Sequence, residues 1–422
     1  MKRKLLVLVS ALLAIVFVLS LSSCKKENND AEDTADTVKN YNVDLVIDTE
    51  APETQKPEPV VTSASFIGAG DNIIYYGNVR EAASLAYSGG RTYNFKPMYS
   101  EVADYIAAAD LAYINQETVM CGDGWELSYY PTFNSPQDLG YDLAEIGFDI
   151  INIANNHMLD KGGDGLQATI DFWKTLPVTM IGGNSSREEY DDVEIIEKNG
   201  IRIALLSYCE MTNGLRVGKG RETWIPYLNN NDPDGQTDIV DDTDIVMHCE
   251  SVKGNCDFII ASVHWGQEGS FTPSEKQKNY AQAMADAGVD VIIGTHPHVL
   301  QPIEWLTGKD GNKTLCVYSL GDFMAEQDRD YNMVGGFISF DITKVDDEHA
   351  TCENVKFVPT VFDFQTNFYN NKVYFMENYT EQMAASHGIA AYGQYTSLDK
   401  LKYYVTNTIS DEFLPDFLVS GN

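Results

Sequence analysis

At 422 residues and 44% apolar content the chain can bury a large core, and 63 acidic against 29 basic residues give a formal net charge of −34. Such a surface repels nucleic acid and anionic lipid, which argues against either as a binding partner, and a polyanionic substrate would need a local cationic site or bridging cations. Six cysteines follow Cys24 without a CxxC spacing, which argues against a thiolate zinc site; Cys209 and Cys316 lie in apolar runs and read as buried thiols. Cys249 and Cys256 flank "ESVKGN" and form a pair able to bridge in an oxidising compartment.

The first 24 residues, "MKRKLLVLVSALLAIVFVLSLSSC", join a basic start to an apolar stretch and then to small residues before a cysteine. This pattern predicts a secretory leader over residues 1–23, with a transmembrane anchor as the alternative. Leu21-Ser22-Ser23-Cys24 resembles the bacterial lipobox, which predicts lipidation of Cys24 and a body on the extracytoplasmic face of the cell membrane. Loss of Lys2, Arg3 and Lys4 with the leader would deepen the charge to about −37. Residues 24–61 are polar and acidic, without an apolar period, and read as a disordered tether.

From residue 62 apolar runs alternate with amphipathic ones. Strands are predicted at Ser65–Ala69, Leu111–Ile114, Asp149–Ile153, Val178–Ile181, Ile201–Tyr208, Phe258–Val263, Val289–Ile293 and Leu315–Ser319. Helices are predicted at Met98–Ala109, Leu139–Gly147, Gly165–Leu176 and Ser274–Ala287, the last with Ser274 as N-cap and Gly288 as stop. This alternation argues an α/β architecture over residues 62–365. Two alternating runs, "GGFISFDITKV" and "ENVKFVPTVFDF", predict an antiparallel pair at the sheet's edge, and residues 366–422 form a Tyr- and Asn-rich C-terminal extension ending in the helical "SLDKLKYYVTNTI".

Polar residues gather just beyond the strands: Asp71 after the first, Asn115 and Glu117 after the second, then Asn155, Asn156, His157 and Asp160, then His264 and Glu268, and finally His296 and His298 in "GTHPHVLQP". Pro297 predicts an extended His296, so that both imidazoles project to one side. Four of the seven histidines lie at such positions; His248, His349 and His387 do not and are assigned no role. Imidazoles, carboxylates and an amide converging on the C-terminal rim of a sheet suit a divalent transition metal better than calcium.

The blocks "NNHMLDKG", "HWGQE", "DAGVDVIIGTHPHVLQPIE" and "YSLGDF" resemble the CapA-type capsule-synthesis family, the poly-γ-glutamate capsule proteins, within the calcineurin-like metallophosphoesterase superfamily. The resemblance covers Ser65 to Asp322, about 60% of the chain. It implies a four-layer α/β/β/α sandwich with one or two divalent ions (Mn, Fe or Zn) held by Asp71, Glu117, Asn156, His264, His296 and His298. It also implies a catalytic role for His157, beside which Asn155 and Glu268 are further candidates.

Two departures bear on the second ion. The superfamily's Asp-x-His is here Asp71-Asn72-Ile73, and Glu117 stands where an Asp bridge is usual, so one ion on Glu117, Asn156, His264 and His296 is the core expectation. Asp322 is either an extra ligand or an acceptor for an imidazole. The implied function is a membrane-anchored metal-dependent hydrolase or transferase in capsule, poly-γ-glutamate or other envelope-polymer biosynthesis, with membrane-embedded capsule-synthesis proteins as partners. The alternatives are a non-catalytic polymer-binding accessory protein and a secreted nucleotidase.

Overall fold

The computed structural model describes residues 58–85 and 90–419; the expected leader, Cys24 and nearly all of the tether lie outside them. Among the described residues no helix is long and apolar enough to cross a membrane. The chain first lays down β1 (Val61–Asn72), β2 (Leu111–Gln116), β3 (Ile150–Asn152) and β4 (Thr179–Ile181), all parallel. It then builds a second sheet from β5 (Glu194–Lys198), β6 (Ile201–Cys209), β7 (Phe258–His264), β8 (Val291–Thr295), β9 (Leu300–Thr307) and β10 (Lys313–Leu320). The remaining strands, β11 (Asp322–Met324), β12 (Val334–Val345), β13 (Thr351–Gln365) and β14 (Tyr369–Phe375), return to the first sheet.

The first sheet runs β14-β13-β12-β1-β2-β3-β4 with β11 beside β1, and the second runs β5-β6-β7-β8-β10-β9. Their inner faces share one core in which Phe66 stacks on Phe340 at 4.7 Å, with Phe258 6.5 Å from Phe340. Tyr113 Oη meets Ser262 Oγ at 2.5 Å and Ser207 Oγ donates to Asn152 Oδ1 at 2.6 Å, so the polar groups caught between the sheets pair with each other. The helices Asp138–Ile146 and Gly162–Trp173 bury Leu139, Leu143, Leu166, Ile170 and Trp173 in that same core. The helices Thr243–Val252 and Glu275–Ala287 bury Ile245, Cys249, Tyr280 and Met284 with Ala204, Leu206, Ala261 and Val263 of the second sheet. The layering is helix, sheet, sheet, helix.

The cap predicted at Ser274 is present: its hydroxyl accepts from Gln277 N–H at 3.2 Å while Gln277 Oε1 accepts from Ser274 N–H at 3.0 Å, and Gly288 ends the helix at φ +98°. Three expectations change. The helix predicted over Met98–Ala109 is two short ones, Lys96–Tyr99 and Ala103–Ala108; Met98, Tyr99, Val102 and Ile106 are all fully buried, and the interruption at Ser100 to Val102 lets both pieces face the core. The antiparallel pair β12 and β13 is internal to the sheet, because β12 pairs with β1 and β14 takes the edge; the segment from Thr366 therefore begins as part of the sheet. Cys249 and Cys256 are free thiols rather than a bridge.

Candidate metal centre

Parallel pairing brings the C-terminal ends of β1, β2 and β3 to one rim and those of β7 and β8 to the facing rim. The register sets Asp71 opposite Asn115 of β2 and Asp322 of β11, and His264 opposite Thr295. β1 and β11 approach closely because residue 70 is glycine: a Cβ there would lie 2.1 Å from Gly321 C=O. Two carboxylates, Asp71 and Asp322, are thereby placed side by side in the interior.

On one side of the site stand His264, His296 and Asn156. Thr295 Oγ1 donates onward to Val263 C=O (3.4 Å), so it accepts from His264 Nδ1–H (2.9 Å) and leaves Nε2 with its lone pair free. That Nε2 lies 3.1 Å from Asn156 Oδ1 and 3.1 Å from His296 Nδ1. On the other side His298 Nδ1 faces Asp322 Oδ1 at 2.9 Å and Asp71 Oδ2 at 3.2 Å. Between them sits Glu117, whose Oε1 is 3.9 Å from His264 Nε2 and 3.8 Å from His298 Nε2. Asp71, Glu117, Asn156, His264, His296 and His298 thus form one cluster, in keeping with their strand-end positions.

Burial sets the electrostatics. It holds Glu117 well above the carboxylate range, helped by Asp71 and Asp322 and opposed by His298, and it raises Asp322 to about 7. It holds His264 well below the ordinary imidazole value, where the His296 and His298 rings add to the effect, and pushes His296 down to about 3. Burial also opposes a charged His298, yet Asp322 and Glu117 outweigh it and hold that ring well above its usual value.

Both carboxylate oxygens of Glu117 and Oδ2 of Asp322 are buried without a hydrogen-bond partner. A buried carboxylate with nothing to accept from is costly, and a cation answers that cost directly. The ligand atoms of Asp71, Glu117 and His298 lie within 4.8 Å of one another, as do those of Glu268, His296 and His298. Two neutral imidazoles, an amide oxygen and clustered carboxylates are the donor set of a hard-to-borderline divalent metal, so the residues fit one.

The His-Pro-His segment reaches this geometry by a different backbone from the expected one. His296 has φ +97° and His298 φ +56°, not extended values, and such positions are costly for residues with a Cβ. His296 N–H donates to Asp71 Oδ2 (3.1 Å), which helps hold it there, and the two rings still converge at 5.9 Å between centroids.

The other candidates lie at the rim. His157 Nδ1 is 2.8 Å from Asp160 Oδ2, an oxygen that also accepts from Phe133 N–H (2.6 Å), and the ring packs edge-on to Phe133 at 4.8 Å. Asn155 is held by the backbone: its amide donates to Gln116 C=O and Ile153 C=O, and its oxygen accepts from His157 N–H at 2.9 Å. Glu268 is exposed at the mouth.

Tyr75 is a neighbour of the site that the strand-end pattern does not pick out; it packs on Phe133 at 5.1 Å and is close enough to Asp322, Glu117 and Glu268 to feel their charge. Its signal in the sequence is the aromatic pair Tyr75-Tyr76 shortly after the Asp71 strand. The three unassigned histidines bind elsewhere: His248 to Tyr208 Oη, His349 to Asp290 and His387 to Phe362 C=O.

The chain is similar to known proteins over much of its length. The chain is 32% identical over 226 residues to the PGA biosynthesis protein CapA of Bacillus subtilis, covering 51% of this chain and 55% of that one. It is 33% identical over 185 residues to the capsule biosynthesis protein CapA of Bacillus anthracis, covering 44% and 42%. The chain therefore spans about half the length of these curated relatives. Among solved structures the Haemophilus influenzae NAD nucleotidase aligns with a TM-score of 0.41 at 12% identity, over 84% of this chain and 57% of that one. The model of the family described as bacterial capsule synthesis protein PGA_cap matches residues 28–327, well over half of the sequence, and the chain belongs to that family.

Proposed function

We propose that the protein is a metal-dependent hydrolase or transferase acting on a capsule or envelope polymer, with poly-γ-glutamate the polymer the family resemblance implies; its relatives' names carry PGA and capsule biosynthesis. The observation that carries this reading is Glu117, fully buried between the imidazoles of His264 and His298 with both oxygens unpartnered. One ion would be held by Glu117, Asn156, His264 and His296, and a second by Asp71, Glu117 and His298 with Asp322 beside them. A bound manganese, iron or zinc ion supplies Lewis-acid activation of water and of a carbonyl or phosphoryl oxygen.

The chain's own residues supply the rest. Asp160 accepts from His157 Nδ1–H and stabilises the imidazolium, whose Nε2–H can give its proton to a leaving oxygen or nitrogen and leave the neutral ring. Asn155 fixes the His157 backbone, and Glu268 borders the mouth where a polymer strand would enter. The test is turnover of γ-glutamyl oligomers and of phosphoesters by metal-loaded chain. His157→Ala is expected to lower it by roughly a hundredfold or more while metal content stays unchanged, since His157 lies outside the ligand cluster. Equal turnover in variant and wild type would remove His157 from the chemistry.

A second reading, a non-catalytic polymer-binding accessory protein, is favoured by Ile73. Where the superfamily pattern has a histidine, Ile73 packs with Phe133 and Ala325 in an apolar cluster and offers no ligand. Polymer binding that survives His157→Ala, with no turnover in either protein, would select that reading.

The lipobox-like Leu21-Ser22-Ser23-Cys24 supports anchoring of the body at the extracytoplasmic face of the membrane. A Cys24→Ser chain is expected to leave the membrane fraction; retention there would contradict a lipid anchor.

A further inference from the structure

The helix Leu398–Thr406 lies against two loops that border the site. Tyr404 stacks on Phe271 with 5.9 Å between ring centroids and 21° between planes, and Tyr331 meets both, at 5.9 Å from Phe271 and 6.4 Å from Tyr404. Phe271 belongs to the loop that carries Glu268. That loop is tied to the His-Pro-His segment by Gly269 N–H donating to Pro297 C=O (2.8 Å), and Gln301 Nε2 donates to Ser270 C=O (2.7 Å).

Tyr331 belongs to the loop after β11. There Asp330, only 2% exposed, accepts from the Tyr404 hydroxyl (3.1 Å) and pairs with Lys400 of the same helix. Two residues on, buried Asn332 donates from Nδ2 to His298 C=O at 2.7 Å. His298 sits at a positive φ, a conformation that a residue with a Cβ keeps only when its surroundings hold it. A path of direct contacts therefore runs from the half-buried C-terminal helix through Asp330 to the loop whose Asn332 grips a candidate ligand. A second path runs through Phe271 to the Glu268 loop.

We infer that Asn332 is a positioning residue for His298, and that the helix Leu398–Thr406 is a strap holding the His298 and Glu268 loops at metal-binding distance. The assignment rests on the metal reading above. It gives the C-terminal extension a task at the site: neither loop need be rigid alone, because Lys400, Tyr404 and Phe271 join them from outside.

The test uses the full chain, with Mn²⁺ and Zn²⁺ as probes titrated against a competing chelator, and amide hydrogen exchange followed at residues 268–271 and at His298. Asn332→Ala is expected to weaken metal affinity roughly tenfold or more and to speed exchange at His298, and the double variant Lys400→Ala/Tyr404→Ala to do the same at His298 and at residues 268–271. Tyr403→Ala, on the same helix but 59% exposed, should do neither. Should Asn332→Ala fail to fold, the double variant on the surface helix carries the measurement.

Unchanged affinity and exchange in the double variant would overturn the strap. So would a lowered melting temperature with wild-type affinity and exchange, which marks a purely structural contact. A wild-type chain that takes up neither metal would overturn the metal reading instead, and the exchange comparison would still decide whether the helix holds the loops.

Discussion

A Glu117→Met chain will purify without divalent metal and, compared metal-free, will be more stable than the wild type. The two halves of this result have one cause. Glu117 is fully buried and neither carboxylate oxygen finds a donor, so in the absence of a cation the group carries an uncompensated desolvation cost of about 1–3 kcal/mol. Methionine has similar length, no polar oxygen and enough flexibility to fill the space. The metal-free variant should therefore gain stability on the order of that cost, as expected when a buried polar group without a partner is replaced by a well-packed apolar one. The same substitution removes a carboxylate that faces both His264 Nε2 and His298 Nε2, so metal affinity should fall by about two orders of magnitude. Urea unfolding of chelator-treated protein and metal analysis of the untreated protein read the two halves separately. A variant less stable than wild type when metal-free, with normal metal content, would mean that Glu117 has another partner.

Between pH 6.5 and 8 the metal-free chain is expected to lose stability, which reverses the usual acid-side behaviour of carboxylates. Glu117 and Asp322 have folded values raised above their unfolded ones, Asp322 to about 7, and His298 is also held high. The three are coupled, and together the folded cluster keeps protons that the unfolded chain has released. Their contribution is thus present at low pH and lost as pH rises through the folded value, by up to about 1.4 kcal/mol per pH unit for each proton of difference. His264 and His296 are depressed and act in the opposite sense while unfolded histidine is still partly charged. That contribution fades over about one pH unit above 6.5 and leaves the carboxylates and His298 to set the slope toward pH 8. Metal binding needs the same groups deprotonated, so saturating Mn²⁺ or Zn²⁺ should flatten or invert the slope. Unfolding curves at pH 6.5 and 8, with and without metal, give the sign. A metal-free chain that is more stable at pH 8 would contradict the assigned proton positions, and Glu117→Met should make the slope shallower.

The candidate ligands are legible in the sequence because strand ends are. Apolar β-branched runs mark buried parallel strands, and the residues just past their C-terminal ends fall on one rim, so Asp71, Glu117, Asn156, His264, His296 and His298 stand among the rim candidates, and the family resemblance is what singles them out as ligands. Features that depend on register between segments far apart in the chain cannot be read in this way. Asp322 faces Asp71 only because β11 returns to pair with β1, and only then does His298 stand between two carboxylates. The positive φ of His296 runs against the preference of a residue before proline, and it is fixed by a hydrogen bond to Asp71, 225 residues away. The internal place of β12 and β13 is hidden for a related reason: alternation shows that a strand has two unlike faces, but not whether another strand covers its edge. Asn332 carries no local signal at all, since its task is set by the carbonyl it meets.

Whether the buried cluster holds metal is decided by metal content, measured by inductively coupled plasma mass spectrometry on the full chain beside a His264→Ala/His296→Ala double variant. About one to two equivalents of manganese, iron or zinc are expected in the wild type and little in the variant. Equal metal in both proteins, or none in either after loading and gentle washing, would contradict a metal centre at this site.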